Sequence, residues 1–175
     1  MKSKLPMMNR FRTSIDGTTA VEFAMLAPVL MYIFMGILEI SLMFFAAVNI
    51  DGAAIDAARR IRTGQAQTSG NAQTDFDSAF CAGLSGAISC SDVFYDVRTV
   101  SNFTSVSLTT DIDPVTGDPI TYGFTAGGAG DIIVVRAMYY WDFATPLIGK
   151  FFETTSGSSR RLLTSTVVFR TEPYE

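Results

Sequence analysis

The stretch AVEFAMLAPVLMYIFMGILEISLMFFAAV, residues 20–48, decides the fold. Its 29 residues carry only two charges, Glu22 and Glu39. As an α-helix the run would cover about 44 Å, more than the ~30 Å hydrocarbon core of a bilayer. A cleavable secretory signal has a shorter apolar region, so the run predicts a membrane-spanning helix. A signal peptidase site at Ala46-Ala47 and a buried helix of a soluble protein are the weaker alternatives.

The orientation of this helix follows from the charges that flank it. Lys2, Lys4, Arg10 and Arg12 precede the span, whereas Arg59, Arg60 and Arg62 begin more than ten residues after Val48. Because basic residues stay on the cytoplasmic side, we expect a cytoplasmic N-terminus and a periplasmic C-terminal head in a bacterial inner membrane. Cys81 and Cys90 lie nine residues apart in that head, and a disulfide between them suits the periplasm.

Composition narrows the class of function. The 175 residues include no histidine, which removes the commonest general base and metal ligand. No nucleophile–base pair, phosphate loop or metal cluster is visible, so we expect no enzyme, no cofactor and no metal site. Residues 66–175 hold twelve acids and six bases without a basic cluster, which argues against nucleic acid as a partner.

The junction between the basic leader and the apolar run reads DGTTAVEF, residues 16–23. Gly17 ends the polar leader, and a peptidase can approach its backbone closely because it has no side chain. Glu22 follows five residues later, where a carboxylate is tolerable near the interface and favourable beside a positive partner. The spacing between Gly17 and Glu22 alone is weak evidence for a functional signal. Its position between a basic leader and a long apolar helix makes the evidence stronger. An ordinary anchor with a chance glycine and glutamate is the alternative.

Two further residues interrupt the apolar helix. Pro28 removes one backbone donor and should kink or loosen the helix near Ala24. Glu39 lies about 100° around the helix from Glu22, so the two carboxylates do not share a face. Glu39 is therefore either protonated and unpaired or in contact with another membrane subunit.

The chain resembles the TadE/TadG-like family in a series of features that occur in order. They are Gly17-x-x-x-x-Glu22-Phe23-Ala24, Pro28, Glu39 and the stretch AAIDAARR at 53–60. The C-terminal VFRTEPY, residues 168–174, also resembles TadE-type ends, with a threonine in place of the usual asparagine. The junction itself resembles a type IV (class III) prepilin signal.

The resemblance implies a TadE-type minor pseudopilin of the tight-adherence (Flp) pilus system, used in surface attachment and biofilm formation. A prepilin peptidase would cut after Gly17, release residues 1–17 and leave Thr18 as the new N-terminus. The freed amine would pair with Glu22 of a neighbouring subunit. Other pilins or pseudopilins and the pilus assembly platform would be the partners. The resemblance leaves open whether the protein is incorporated into the pilus, as a tip or primer, or stays in the membrane.

The head is expected to begin on the same helix. Small residues at Ala53, Ala54, Ala57 and Ala58 favour its continuation to about Arg62, with Gly64 as the stop and residues 65–73 as a polar linker. Phe76, Phe80 and Leu84 recur every four residues and predict a short amphipathic helix with Thr74 as its N-cap.

Four stretches have the composition and alternation of strands: 93–100, 104–108, 132–141 and 162–170. Turn residues at 111–119 predict a hairpin tip. An EF-hand does not fit there, because the twelfth position from Asp111 is Tyr122. Residues 146–152 predict a short apolar helix that either covers the sheet or lies exposed as a docking surface.

These elements predict an α+β, pilin-like protein with three parts: a basic leader at 1–17, a transmembrane and extended helix at 18–63, and a head with a small antiparallel sheet at 64–175. A membrane-anchored periplasmic binding or sensory domain is the alternative function.

Overall fold

A computed structural model of the chain describes residues 17–86, 88–145 and 147–174. Its helices are α1 (Thr18–Arg62), α2 (Gln65–Thr68), α3 (Ala72–Gly83) and α4 (Ile148–Phe152), and its strands are β1 (Val93–Val100), β2 (Ile132–Asp142) and β3 (Arg160–Arg170). The α+β fold class is confirmed. The chain divides into two compact units between Leu38 and Glu39.

The first part of α1 has no side that faces a protein core. Seven consecutive large apolar residues, Val29–Met35, are exposed, and seven residues cover the full circumference of a helix. A helix that is apolar all round is stable only inside a larger core or in lipid. By length and composition α1 can cross a membrane.

From Glu39 onward, α1 buries one stripe of its surface. Buried small and apolar residues recur at helical spacing along this part: Met43, Ala46, Ile50, Ala53, Ala54, Ala57, Ala58 and Ile61. The stripe packs into one core with Val97, Val135 and other residues of the sheet. The small residues allow α3 to approach α1 closely at Ala53, since a Cβ placed on Gly83 of α3 would lie 3.0 Å from the Ala53 Cα.

The three strands are antiparallel in the order β1-β2-β3. Val135 of β2 lies opposite Val97 of β1 and Val167 of β3, so these residues share the face toward α1. The 101–131 connection folds over the other face. There Tyr140 donates from its hydroxyl to the Gly117 carbonyl at 2.7 Å.

Two buried ionisable residues lie beneath that connection. Asp96 and Arg136 are cross-strand neighbours and are 0 % and 2 % exposed. Burial raises the pKa of Asp96, while the charges of Arg98 and Arg136 oppose that rise. The Arg136 guanidinium donates to the carbonyls of Ser107 and Thr109, the latter at 3.1 Å. The buried Arg136 side chain therefore holds the connection in place.

The prediction of a strand at 104–108 is wrong. Residues 103–105 form a 3-10 turn, and the Asn102 side chain caps it by accepting from the Ser105 amide at 2.8 Å. The carbonyl of Ser107 accepts from Arg136 rather than from a neighbouring strand. The described sheet therefore has three strands instead of about four, with one extra bridge between Val97 and Phe124.

Two smaller expectations also change. The N-cap of α3 is Asn71, whose side chain accepts from the Thr74 amide at 3.1 Å, so Thr74 lies inside the first turn. The stretch predicted as linker contains α2. The hairpin tip at 111–119 is confirmed by the bridge between Ile112 and Pro119.

The C-terminal tail closes the end of α1. Gly64, at φ 78°, follows the helix as the predicted stop, and the Tyr174 ring lies against it. The Glu172 amide donates to the Arg62 carbonyl at 2.9 Å, which satisfies one of the helix's otherwise unpaired acceptors. Thr171 beside it is 3 % exposed. The tail is therefore part of the fold.

Substituting Gly64 should show how tightly the tail packs. A Cβ at Gly64 would lie 2.5 Å from the Tyr174 ring, so Gly64→Ala adds a clash of roughly 1–3 kcal/mol to the cost of its left-handed backbone. Gly70→Ala is the matched control, because Gly70 has φ 86° and nothing within 4 Å of its Cβ position. Thermal unfolding of the full chain in detergent measures both.

We expect Gly64→Ala to lower the unfolding temperature clearly more than Gly70→Ala. In a Tyr174→Ala background the ring is absent and the clash is gone. There, Gly64→Ala should lower the unfolding temperature only about as much as Gly70→Ala does. Equal losses for the two glycine variants would contradict the packing of the tail on the helix end.

Candidate membrane and assembly helix

The helix begins directly after Gly17. The Val21 amide donates to the Gly17 carbonyl at 3.1 Å, so Gly17 accepts the first hydrogen bond of α1. A Cβ at Gly17 would meet no atom within 4 Å among the residues described. Packing in that part of the chain therefore does not require a glycine at this position.

Glu22 lies one turn into α1, and its side chain is exposed. Val21 and Phe23 on either side are 56 % and 68 % exposed. Within the part of the chain that the structure describes, no hydrogen bond or ion pair joins Glu22 to another side chain. A carboxylate in this apolar setting is favourable only near water or beside a positive charge, which has to come from elsewhere.

Pro28 lies inside α1, and the helix continues through it. Proline has no amide hydrogen, so the Ala24 carbonyl one turn earlier lacks its usual intrahelical donor. The predicted loosening near Ala24 stays a prediction.

Glu39 is buried at 8 % exposure, and its carboxylate is fully engaged. It accepts from the Ala144 amide and from the Thr145 amide, the latter at 3.0 Å to Oε2. The interpretation of Glu39 as unpaired is therefore wrong. A contact between Glu39 and another subunit stays a prediction.

The predicted disulfide joins Cys81 and Cys90, with 5.4 Å between their Cα atoms. It connects α3 to the 3-10 turn that leads into β1. Beside it, the rings of Phe76 and Tyr95 lie 5.3 Å apart between centroids. Burial raises the pKa of Tyr95, as does the hydrogen bond that its hydroxyl donates to Asp77. The bridge and this cluster attach α3 to the sheet.

The alternative function, a ligand-binding domain, requires a pocket, and two surface grooves are candidates for one. One, of about 180 Å³, lies between α1 and β3; the other, of about 280 Å³, lies near Asp92, Asp118 and Tyr139. Both fall below the ~300–1,000 Å³ typical of ligand pockets. Among the residues described, no three acidic or cysteine side chains are grouped to hold a metal ion.

The contact between Glu39 and the head could not be found in the sequence. Its donors are backbone amides, which every residue except proline carries, so nothing at Ala144 or Thr145 marks them as partners. The only available signal was the charge itself, because a glutamate inside an apolar run needs a partner.

Glu39→Ala should release the loop that it holds. Two part-buried amides would lose their charged acceptor, at about 1–3 kcal/mol each, so hydrogen exchange at Ala144 and Thr145 should accelerate at least tenfold. Mass-spectrometric exchange on the full chain in detergent measures this. Glu153→Ala is the matched control, because Glu153 also accepts from two amides, of Gly157 and Ser159, at an exposed turn.

At Glu153 water can replace the carboxylate, so the effect on exchange should be smaller and confined to residues 157–159. Unchanged protection of Ala144 and Thr145 in Glu39→Ala would show that Glu39 does not hold them.

Comparison with known proteins agrees with this arrangement of residues. A family model described as TadE-like protein matches residues 17–59, about a quarter of the chain. The matched range begins at Gly17 and includes Glu22, Pro28 and Glu39. The predicted resemblance is therefore confirmed over this range. Neither the curated proteins nor the solved structures gave a significant match.

Proposed function

On the premise that residues 17–59 are a TadE-like segment, we propose that this chain is a minor, pilin-like component of the tight-adherence (Flp) pilus machinery. In this role α1 anchors it in the inner membrane, and the head lies in the periplasm. The protein acts by assembly with other pilins and with the pilus assembly platform, not by catalysis.

The observation that carries the proposal is the pairing of two features on one helix. α1 begins at the Gly17 boundary with an exposed carboxylate and an apolar surface all round, and from Glu39 it becomes the core helix of a head. A simple anchor needs neither the Gly17–Glu22 spacing nor continuity into a folded core. A subunit that packs by its helix uses both.

Packing among the described residues does not require a glycine at position 17. Cleavage of the chain after Gly17 would account for a glycine there. A side chain there would obstruct a peptidase that approaches the backbone. Cleavage would leave the amine of Thr18 within reach of a neighbouring subunit's Glu22, as a positive partner for that exposed carboxylate. It would also remove four basic residues from the apolar helix that must pack.

The disulfide supports the periplasmic side for the head. Cys81 and Cys90 form a structural bridge next to the core, and such bridges persist in oxidising compartments rather than in the cytosol. The flanking positive charges support the same orientation.

Gly17→Ala should block release of the leader. Intact mass of the protein from cells that contain a prepilin peptidase should correspond to a start at Thr18 for the wild type and at Met1 for Gly17→Ala. Gly52→Ala is the matched control, because a Cβ at either glycine meets nothing within 4 Å among the residues described. A wild-type protein that starts at Met1 with and without the peptidase would contradict processing.

Glu22→Ala tests assembly separately from cleavage. We expect a mature, membrane-located protein and loss of surface pili, because the neighbouring amine would have no carboxylate to pair with. Electron microscopy of cells that carry the variant in place of the wild type measures piliation. Full piliation with Glu22→Ala would favour the binding or sensory alternative. Glu153→Ala, which removes a carboxylate of the head far from Glu22 in the sequence, should leave piliation unchanged.

A further inference from the structure

We propose that α4 and the residue before it, Leu147–Phe152, insert into the membrane leaflet on the side of the head. The occupant of this apolar surface is lipid. The proposal rests on α1 being the membrane anchor and is independent of any role in a pilus.

The depth of the membrane along α1 follows from its length. Thr18–Leu38 contains 21 residues, which as a helix cover about 31 Å and match the ~30 Å hydrocarbon core. The apolar run continues to Val48, and Phe45 and Val48 are 53 % and 70 % exposed. The edge of the hydrocarbon on the head's side therefore lies at Glu39 or beyond it toward Val48.

α4 is tied to this level of the helix. Glu39 accepts from the amides of Ala144 and Thr145, and Ile148 follows only three residues later. Three residues span at most about 11 Å. With the edge between Glu39 and Val48, the start of α4 is therefore close enough to reach the interface.

The exposed surface of α4 has the chemistry of an interfacial segment. Leu147, Phe151 and Phe152 are 59 %, 85 % and 39 % exposed within six residues of chain. Lys150 is the only charged residue of the helix, and its long side chain can reach lipid phosphates while the apolar residues enter the acyl region. Phe152 also stacks on Phe143, with 6.1 Å between ring centroids, which holds the apolar group together.

The backbone at Leu147 adds an independent argument. Its φ of 69° lies in the left-handed region, where a leucine is an outlier and glycine or asparagine would fold more easily. The leucine side chain is exposed, so packing inside the head does not account for it. Contact with lipid accounts for a leucine at this position.

Val115, another exposed apolar residue of the head, lies in a different setting. Val115 is 91 % exposed at the tip of the 111–119 hairpin, on the connection that covers the sheet face away from α1. A single exposed apolar residue is normal on a protein surface. Val115 is therefore a suitable control position.

Quenching by brominated lipid tests the insertion directly. In a Trp141→Phe background, which removes the one native tryptophan, Phe151→Trp and Val115→Trp each place a single reporter at a highly exposed position. The full chain is reconstituted in phosphatidylcholine and phosphatidylglycerol vesicles with or without acyl-chain bromine. We expect bromine to reduce the emission of Phe151→Trp by at least about twofold and to leave Val115→Trp almost unchanged.

The protein-to-lipid ratio separates lipid from a second copy of the chain. Contact with lipid should give the same quenching of Phe151→Trp over a tenfold dilution of protein in lipid. Equal quenching at the two positions overturns the proposal. If bromine quenches Phe151→Trp only after the protein is diluted in lipid, the proposal is also overturned, and the surface is assigned to contact with another copy of the chain. Intact mass confirms the Cys81–Cys90 bridge in each variant, and none of these outcomes depends on peptidase or pili.

Discussion

One helix carries two kinds of surface, and the rest of the structure follows from where the first gives way to the second. Up to Leu38 the side chains of α1 are mostly apolar and exposed all round, which suits lipid. From Glu39 the same helix supplies a stripe of small residues to the core of the head, with Ala54 and Ala57 fully buried. A sharp change of this kind needs a residue that tolerates the boundary. Glu39 meets that need, because its carboxylate is both buried and bound by backbone amides.

The small residues of α1 explain why a three-stranded sheet can form the head. Two helices and a sheet share a thin core, and the alanines let α3 and the strands approach the axis of α1 closely. Phe76 and Phe80 are fully buried and supply large side chains to that core, where alanine alone would bury too little apolar surface. The disulfide holds α3, which carries the two rings, and Tyr174 of the tail packs on the end of α1 at Gly64.

Much of this could be predicted, because the deciding patterns are local. Strand β1 was predicted at 93–100 and β2 at 132–141 from alternation and branched residues, and the helix from an unbroken apolar run. The stretch at 104–108 has the composition of a strand, but its partner is the buried Arg136 beneath it. Contacts that join distant residues through backbone atoms, such as Glu39 with Ala144, have no local pattern. Tertiary placement alone determines them.

The two proposals together constrain where the protein works. A subunit that enters a filament has to leave the lipid, and every apolar residue inserted there adds to the free energy needed for its extraction. An inserted α4 adds Leu147 and Phe151 to the load that α1 already carries. Glu39 couples the two, because its carboxylate holds the loop from which α4 starts. A pilin-like subunit built in this way favours the base of the pilus, at the membrane, over the growing fibre.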